Sequence, residues 1–247
     1  MSETDRILFS ATLIEGIVEK CKSQFTMMVQ VQGESVACHC PTTGRIGTIE
    51  VAGRPCLLSA SNDSARKTPY TVEAVSLNRP EDAVKSWIGI NQNAANRYVE
   101  HYLVNGGFAD MVGTGNEVRR EQFLGASKLD CLVGSTYLEV KTPLQTLQVE
   151  LPEWVKTKKV TPFSSTDRFV RHITELANSL QSHQRAILLT NFLYDNPGFE
   201  VIDRSTHYEQ VKSAVDAAQE RGVEIWQSNF RIDPDGVLLE KYFRISV

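Results

Sequence analysis

No stretch of this chain is apolar for long enough to span a membrane, and the segment MSETDRILFSATLIEGIVEK carries charges throughout, so neither a signal peptide nor a membrane anchor is expected. Paired cysteines are also lacking. Cys21, Cys38, Cys40, Cys56 and Cys131 form an odd, scattered set unlike a secreted disulfide framework, which points to the cytoplasm or an equivalent reducing compartment. Cys38-His39-Cys40 has no second pair to complete four zinc ligands, and on a strand the two thiols would face away from the imidazole, as small buried hydrophobes do. Positive charge is not in excess: 26 Lys and Arg against 30 Asp and Glu give a net charge of −4, so any nucleic-acid contact has to come from local patches. A phosphate-cradling Gly loop, a Gly-x-Ser-x-Gly elbow and a dinucleotide fingerprint are all missing, which argues against a nucleotide hydrolase, an esterase or a dehydrogenase.

What is present is a chain of 247 residues, long enough for one large or two small domains. Residues 8–60 and 70–77 read as about five short strands, LFSATLIEGIVEK, FTMMVQVQ, ESVACHC, RPCLLSAS and YTVEAVSL, punctuated by glycine turns. That number of strands without a helical pattern suits a small barrel of the OB type. The polar segment NRPEDAVKS (78–86) is the expected junction, placing one domain at 1–82 and a second at 83–247. Beyond it the period changes. NAANRYVEHYLV is helical and ends at Gly106-Gly107; strands return at 117–124, 128–133 and 136–140. A second helix follows the capping residues Thr166 and Asp167. RAILLTNFLY (185–194) reads as a strand covered on both faces. A third helix opens on the capping pair Thr206 and Glu209, and two alternating strands turn at Pro234-Asp235-Gly236. The expected fold is α+β, an OB-like barrel followed by a mixed sheet flanked by helices. Residues 142–165 show no clean period and are expected to be a loop or mobile insertion with an exposed lysine cluster at Lys156, Lys158 and Lys159.

The chemistry concentrates in SKLDCLVGSTYLEVK (127–141), two strands around a Gly134-Ser135 turn. Asp130 lies on the first, and Glu139 and Lys141 project from one face of the second. Two acids and a lysine beside a hairpin suit a hard divalent cation, Mg²⁺ or Mn²⁺, and an activated water, with the Val140 carbonyl as a third ligand. The arrangement resembles that of PD-(D/E)XK phosphodiesterases. The plainer alternative is a solvated pair on an exposed strand with Asp130 serving a turn.

Taken in order, HCPTTGRIG (39–47), RKTPYTVE (66–73), WIGINQNAANRYVEHYL (87–103), EVRRE (117–121), KLDCLV, YLEVKTP (137–143) and RFVRHITEL (168–176) resemble the sugar fermentation stimulation protein family (SfsA) over most of the length. That resemblance implies an N-terminal OB-like domain and a C-terminal PD-(D/E)XK nuclease-like domain in a DNA-binding protein with a nuclease or regulatory role. It also implies that Glu100 completes a metal site with Asp130 and Glu139, while Asp130, Glu139 and Lys141 do the catalysis. The chain departs from the family at Thr42, where Asn is usual, at 145–165, where a Phe-Pro-Asp-Ala-Val-type segment is missing or rewritten, and at Phe169-Val170, where a Gly is expected between the basic residues.

Arg168, Arg171 and His172 at the start of the second helix are candidate phosphate contacts, helped by the helix dipole, with Glu175 as an alternative partner for His172. On the first domain Arg45, Arg66, Lys67 and Tyr70 offer charge and a stacking ring for nucleic acid. The expectation is a Mg²⁺- or Mn²⁺-dependent nuclease acting on DNA or RNA. The alternative is a non-catalytic nucleic-acid-binding regulator that keeps the fold. The sequence leaves the oligomeric state open, a homodimer among the options.

Overall fold

The structure, a computed structural model, describes residues 5–42, 46–63, 65–124, 127–159, 166–198 and 207–245. Alternating apolar residues build the first unit from strands β2 (Ile14–Ser23), β3 (Thr26–Val31), β4 (Glu34–His39), β5 (Pro55–Ala60) and β6 (Tyr70–Val75). β2 pairs antiparallel with both β3 and β5, β3 with β4, and β5 with β6. A parallel contact of β4 with β6, at Cys38↔Tyr70 and His39↔Thr71, closes the five strands into an OB-like barrel. Its core holds Val18, Val29, Leu58 and Val72, together with Cys38, Cys40 and Cys56. Burial pushes the Cys38 thiol up to about 11 and the Cys56 thiol up to about 12, as expected of inert packing residues. β7 (Ile88–Gly89) extends the barrel by pairing with β6.

The second unit is a seven-stranded mixed sheet in the order β1-β13-β12-β11-β10-β9-β8. Its strands are β1 (Ile7–Leu8), β8 (Val118–Leu124), β9 (Ser127–Val133), β10 (Thr136–Lys141), β11 (Arg185–Phe192), β12 (Glu224–Ile232) and β13 (Gly236–Arg244). β10, β11 and β12 run parallel, so each crossover carries a helix. These are α3 (Asp167–Ser179) and α4 (Tyr208–Glu220). They cover one face with Ile173, Leu176, Ala177 and Ala218 on Tyr137, Ala186 and Leu188. α1 (Gln92–Val104) and the short α2 (Ala109–Val112) supply Ala95, Tyr98, Val99, Tyr102 and Met111 to the cluster formed by Leu138, Val140, Ile187 and Leu189. β11 is therefore buried on both faces, as its unbroken apolar run implies.

α1 begins where Asn91 accepts a hydrogen bond from the Ala94 N–H at 3.1 Å. Thr166 occupies the N-cap position of α3, but its hydroxyl makes no capping hydrogen bond; Thr206 of the other expected cap lies outside the described residues. No helix among the described residues is long and apolar enough to cross a membrane.

Residues 142–159 bear out the expected loop but are packed rather than a loose insertion; residues 160–165 of the same stretch lie outside the described residues. Residues 142–159 contain no helix or strand, yet they strap the barrel. Leu144 and Val155 are buried in its core, with Leu147, Val149 and Leu151 packed against it. Backbone hydrogen bonds link Gly47 N to Leu144 O, Glu50 N to Lys156 O and Lys158 N to Thr48 O. The anchoring residues follow no single period because each meets a different part of the barrel. Lys156, Lys158 and Lys159 are exposed on this strap.

Candidate active site

The turn between β9 and β10 places the site. Gly134 has φ +57°, the left-handed conformation that a two-residue hairpin turn with glycine first requires, and Val133 then pairs with Thr136. The ladder runs on through Leu132↔Tyr137 and Cys131↔Leu138 and then stops. Beyond that point the Val140 N–H donates to Asp130 Oδ2 at 2.8 Å, so a carboxylate replaces the neighbouring strand's carbonyl. Meanwhile β10 stays in register with β11, pairing Glu139 with Leu188 and Lys141 with Thr190. The hairpin thus opens at the acids while its other edge is held rigid.

Asp130 is half-buried, and its other oxygen accepts from Asn96 Nδ2 on α1 at 2.8 Å. Burial, and after it the charge of Glu139, pushes the Asp130 carboxyl above the usual Asp range, against the Val140 N–H, Lys141 and His172. Glu139 is only 2% exposed. Its Oε1 lies 2.5 Å from Lys141 Nζ and 2.6 Å from His172 Nδ1, whereas Oε2 is buried with no hydrogen-bond partner among the described residues.

The sequence-derived candidates do not all converge. Asp130, Glu139, Lys141 and His172 form one cluster. His172 is buried, and its partner is Glu139 rather than Glu175. Glu100 on α1 takes Arg120 of β8 as its partner at 3.2 Å, both side chains partly exposed. Arg168 and Arg171 stand exposed on the first turns of α3. Arg66 and Lys67 are exposed between β5 and β6, and Tyr70 opens β6 half-buried against the barrel core. Arg45 lies outside the described residues.

Among the described residues no group of three or more His, Cys, Asp or Glu side chains is already gathered as a metal site. The chemistry of Asp130 and Glu139 nevertheless fits a hard cation. Two acids share one partly buried position, one is shifted toward its protonated form, and the other has an oxygen without a donor. The Glu100–Arg120 pair is exposed enough to exchange partners at a cost of about 1 kcal/mol or less.

Two features were not read from the sequence. Asn96 holds Asp130 from α1, and nothing in NAANRYVEHYLV distinguishes it from an ordinary surface amide. The buried position of His172 did carry a signal: it stands three residues after Phe169 and four before Leu176, on the apolar face of α3. A polar relay also reaches the site from the barrel. Thr42 Oγ1 donates to Gln92 Oε1 at 2.7 Å, and Gln92 Nε2 donates to the Thr142 carbonyl, next to Lys141, at 2.6 Å.

Comparison with known proteins agrees with this architecture. Residues 22–90 match the family model of the SfsA N-terminal OB domain, and residues 93–236 match that of the sugar fermentation stimulation protein RE domain. The sugar fermentation stimulation protein homolog of Pseudoalteromonas atlantica is 32% identical over 246 residues, covering 94% of this chain and 97% of its own. That of Microcystis aeruginosa is 29% identical over 237 residues, covering 92% of each chain. The structure of Pyrococcus furiosus SfsA in complex with Ca²⁺ shares the fold, with a TM-score of 0.73 over 98% of both chains at 18% identity. The chain belongs to the sugar fermentation stimulation protein family.

Proposed function

We propose that this protein is a Mg²⁺- or Mn²⁺-dependent nuclease that hydrolyses phosphodiester bonds of DNA or RNA at a PD-(D/E)XK-like site. The observation that carries this reading is the one-sided Glu139 carboxylate beside an Asp130 carboxyl that burial and the Glu139 charge push above the usual Asp range. A buried carboxylate oxygen without a donor costs about 1–3 kcal/mol, a cost that a cation bound there would offset. Asp130 and Glu139 would hold the cation, with Glu100 joining on release from Arg120. When bound, the cation neutralises charge developing on the phosphoryl oxygens and acidifies a bound water. Lys141, anchored on Glu139 and about a third exposed, orients the attacking water and stabilises the transition-state charge. Arg168 and Arg171, at the positive end of the α3 dipole, hold the phosphate backbone. Arg66, Lys67 and Tyr70 extend the contact onto the barrel, the usual surface for strands in OB-like domains. The Ca²⁺ in the Pyrococcus furiosus relative is in keeping with a hard-cation site.

The second reading, a nucleic-acid-binding regulator without catalysis, draws on the Glu100–Arg120 pair, which leaves two acids rather than three at the centre. The two readings separate when wild type, Lys141→Ala and Asp130→Asn are compared on labelled single- and double-stranded DNA and RNA with Mg²⁺, Mn²⁺ or EDTA. The nuclease requires metal-dependent cleavage that falls about 100-fold or more in both variants while binding stays within a few-fold. Tight binding without cleavage under any metal would leave the regulator.

A further inference from the structure

Glu139 Oε1 meets both Lys141 Nζ and His172 Nδ1, and Oε2 has no hydrogen-bond partner among the described residues. The two donors differ in what they can fix. Lys141 follows two residues later on the same strand, and its flexible stem ends in an ammonium about a third exposed. His172 is a planar ring on a different element. It sits 7% exposed on α3, which Ile173, Leu176 and Ala177 hold against Leu129, Tyr137 and Leu188 of the sheet. Its Nδ1 therefore reaches Glu139 from a rigid helix across the opened end of the hairpin.

We propose that His172 is a positioning residue: its Nδ1–H, donated to Glu139 Oε1, fixes the rotation of the carboxylate so that Oε2 is the oxygen offered to a divalent cation. This inference rests on the cation-dependent reading above and assigns His172 a different task from phosphate contact. Nδ1 can donate in either the neutral Nδ1–H tautomer or the imidazolium, so the role needs no change of charge. It is the mirror of the common arrangement in which a carboxylate orients a ligating histidine; here the histidine orients a ligating carboxylate. The imidazole is buried, with Glu139 as its hydrogen-bond partner, which leaves His172 little room to do otherwise.

The two ring nitrogens make the test specific. His172→Asn places an amide nitrogen close to the position of Nδ1, whereas His172→Gln carries it out toward Nε2. Mn²⁺ is titrated by calorimetry into the full-length wild type and both variants, with thermal melts recorded without metal. Expected is an Asn variant within about threefold of wild type and a Gln variant weaker by about tenfold or more, the usual loss when an orienting partner of a metal ligand is removed. A space-filling histidine gives the reverse order, because Gln replaces more of the ring's volume, and that result overturns the proposal. If the Gln variant does not fold, the apolar His172→Leu takes its place with the same expected loss. Wild-type affinity in the Leu variant overturns the proposal. Glu139→Gln separates this inference from the reading beneath it. Loss of Mn²⁺ binding there places the ion on Glu139 and leaves the His172 comparison decisive. Unchanged binding there, or no binding by the wild type, overturns the cation reading and this inference together.

Discussion

Asp130 and Glu139 are held together where the β9–β10 ladder has ended, and the folded state bears the cost of that proximity. A carboxyl whose native pKa lies above its unfolded value binds its proton more tightly in the folded chain. Its favourable contribution is complete below the ordinary Asp value of about 3.9 and is lost as the pH rises through the native value. At neutral pH Asp130 is thus a burden on the metal-free protein. Replacing it with Asn removes the charge and keeps an acceptor for the Val140 N–H, while Asn96 can turn its amide to meet the new donor. Asp130→Asn is expected to raise the Tm of the EDTA-treated protein at pH 7 by about 2–4 °C, the shift that about 1 kcal/mol gives in a chain of this length. The gain should shrink as the pH falls toward the ordinary Asp value. Calorimetry across that range checks both points; a lower Tm at pH 7 would mean that the two hydrogen bonds outweigh the charge. At this scale the sequence revealed the acids and the lysine because strand alternation puts Glu139 and Lys141 on one face. Its helical spacing marks His172 as buried, but the pairing of Asn96 and His172 with the acids arises from the packing of α1 and α3, which local pattern does not encode.

Among the elements, β11 and β12 are tied at their N-terminal ends by one ion pair. Arg185 donates through Nε and Nη2 to Glu224 at 2.6 and 2.8 Å, and through Nη1 to the Met111 carbonyl of α2 at 2.7 Å. The Arg185 hydrogen bond, with help from Trp226 Nε1, holds the Glu224 carboxyl below the usual Glu range. A depressed carboxyl contributes stability above its unfolded value, near pH ~4.3, and loses it as the pH falls through the native one. Glu224→Gln should therefore cost about 1 kcal/mol at pH 7, in the upper range for a partly exposed pair. The difference from wild type should vanish in acid, as chemical denaturation at several pH values would show; a loss that persists in acid would assign it to packing instead. This pair also explains what was legible among the elements. Long periodic segments such as RAILLTNFLY and RFVRHITEL declare themselves, because burial on one or both faces sets their pattern. The four-residue α2 is too short to show a period and depends on contacts such as that from Arg185. β1 merges into the run LFSATLIEGIVEK, since only its pairing with β13 across the whole chain distinguishes it from β2.

For the molecule as a whole, the decisive feature is that the segment leaving β11 joins the sheet's core to the barrel's. At the C-terminal end of β11, Phe192 and Tyr194 enter the barrel core while Leu193, between them, enters the core beneath α1. The barrel answers at Gly89, whose N–H donates to the Leu193 carbonyl at 2.8 Å. A Cβ at that position would stand 2.5 Å from Leu193 Cβ, so only glycine allows the approach. Leu13, Leu57, Ala74 and Trp87 likewise pack into the sheet's core, and the 142–159 strap returns from Lys141 to the barrel. Unfolding either part would strip apolar surface from the other, which predicts one cooperative unit in place of two independent domains. Leu58→Ala tests this from deep within the barrel, where the side chain is 0% exposed and belongs to the barrel cluster. The substitution should destabilise the protein by about 2–5 kcal/mol. Under hydrogen exchange, the slowest amides of β11 and β12 should lose as much protection as those of β3 and β5. If the sheet amides keep their wild-type protection while the barrel amides lose theirs, the packing around the end of β11 does not couple the two units, and the site at Lys141 is insulated from events on the barrel.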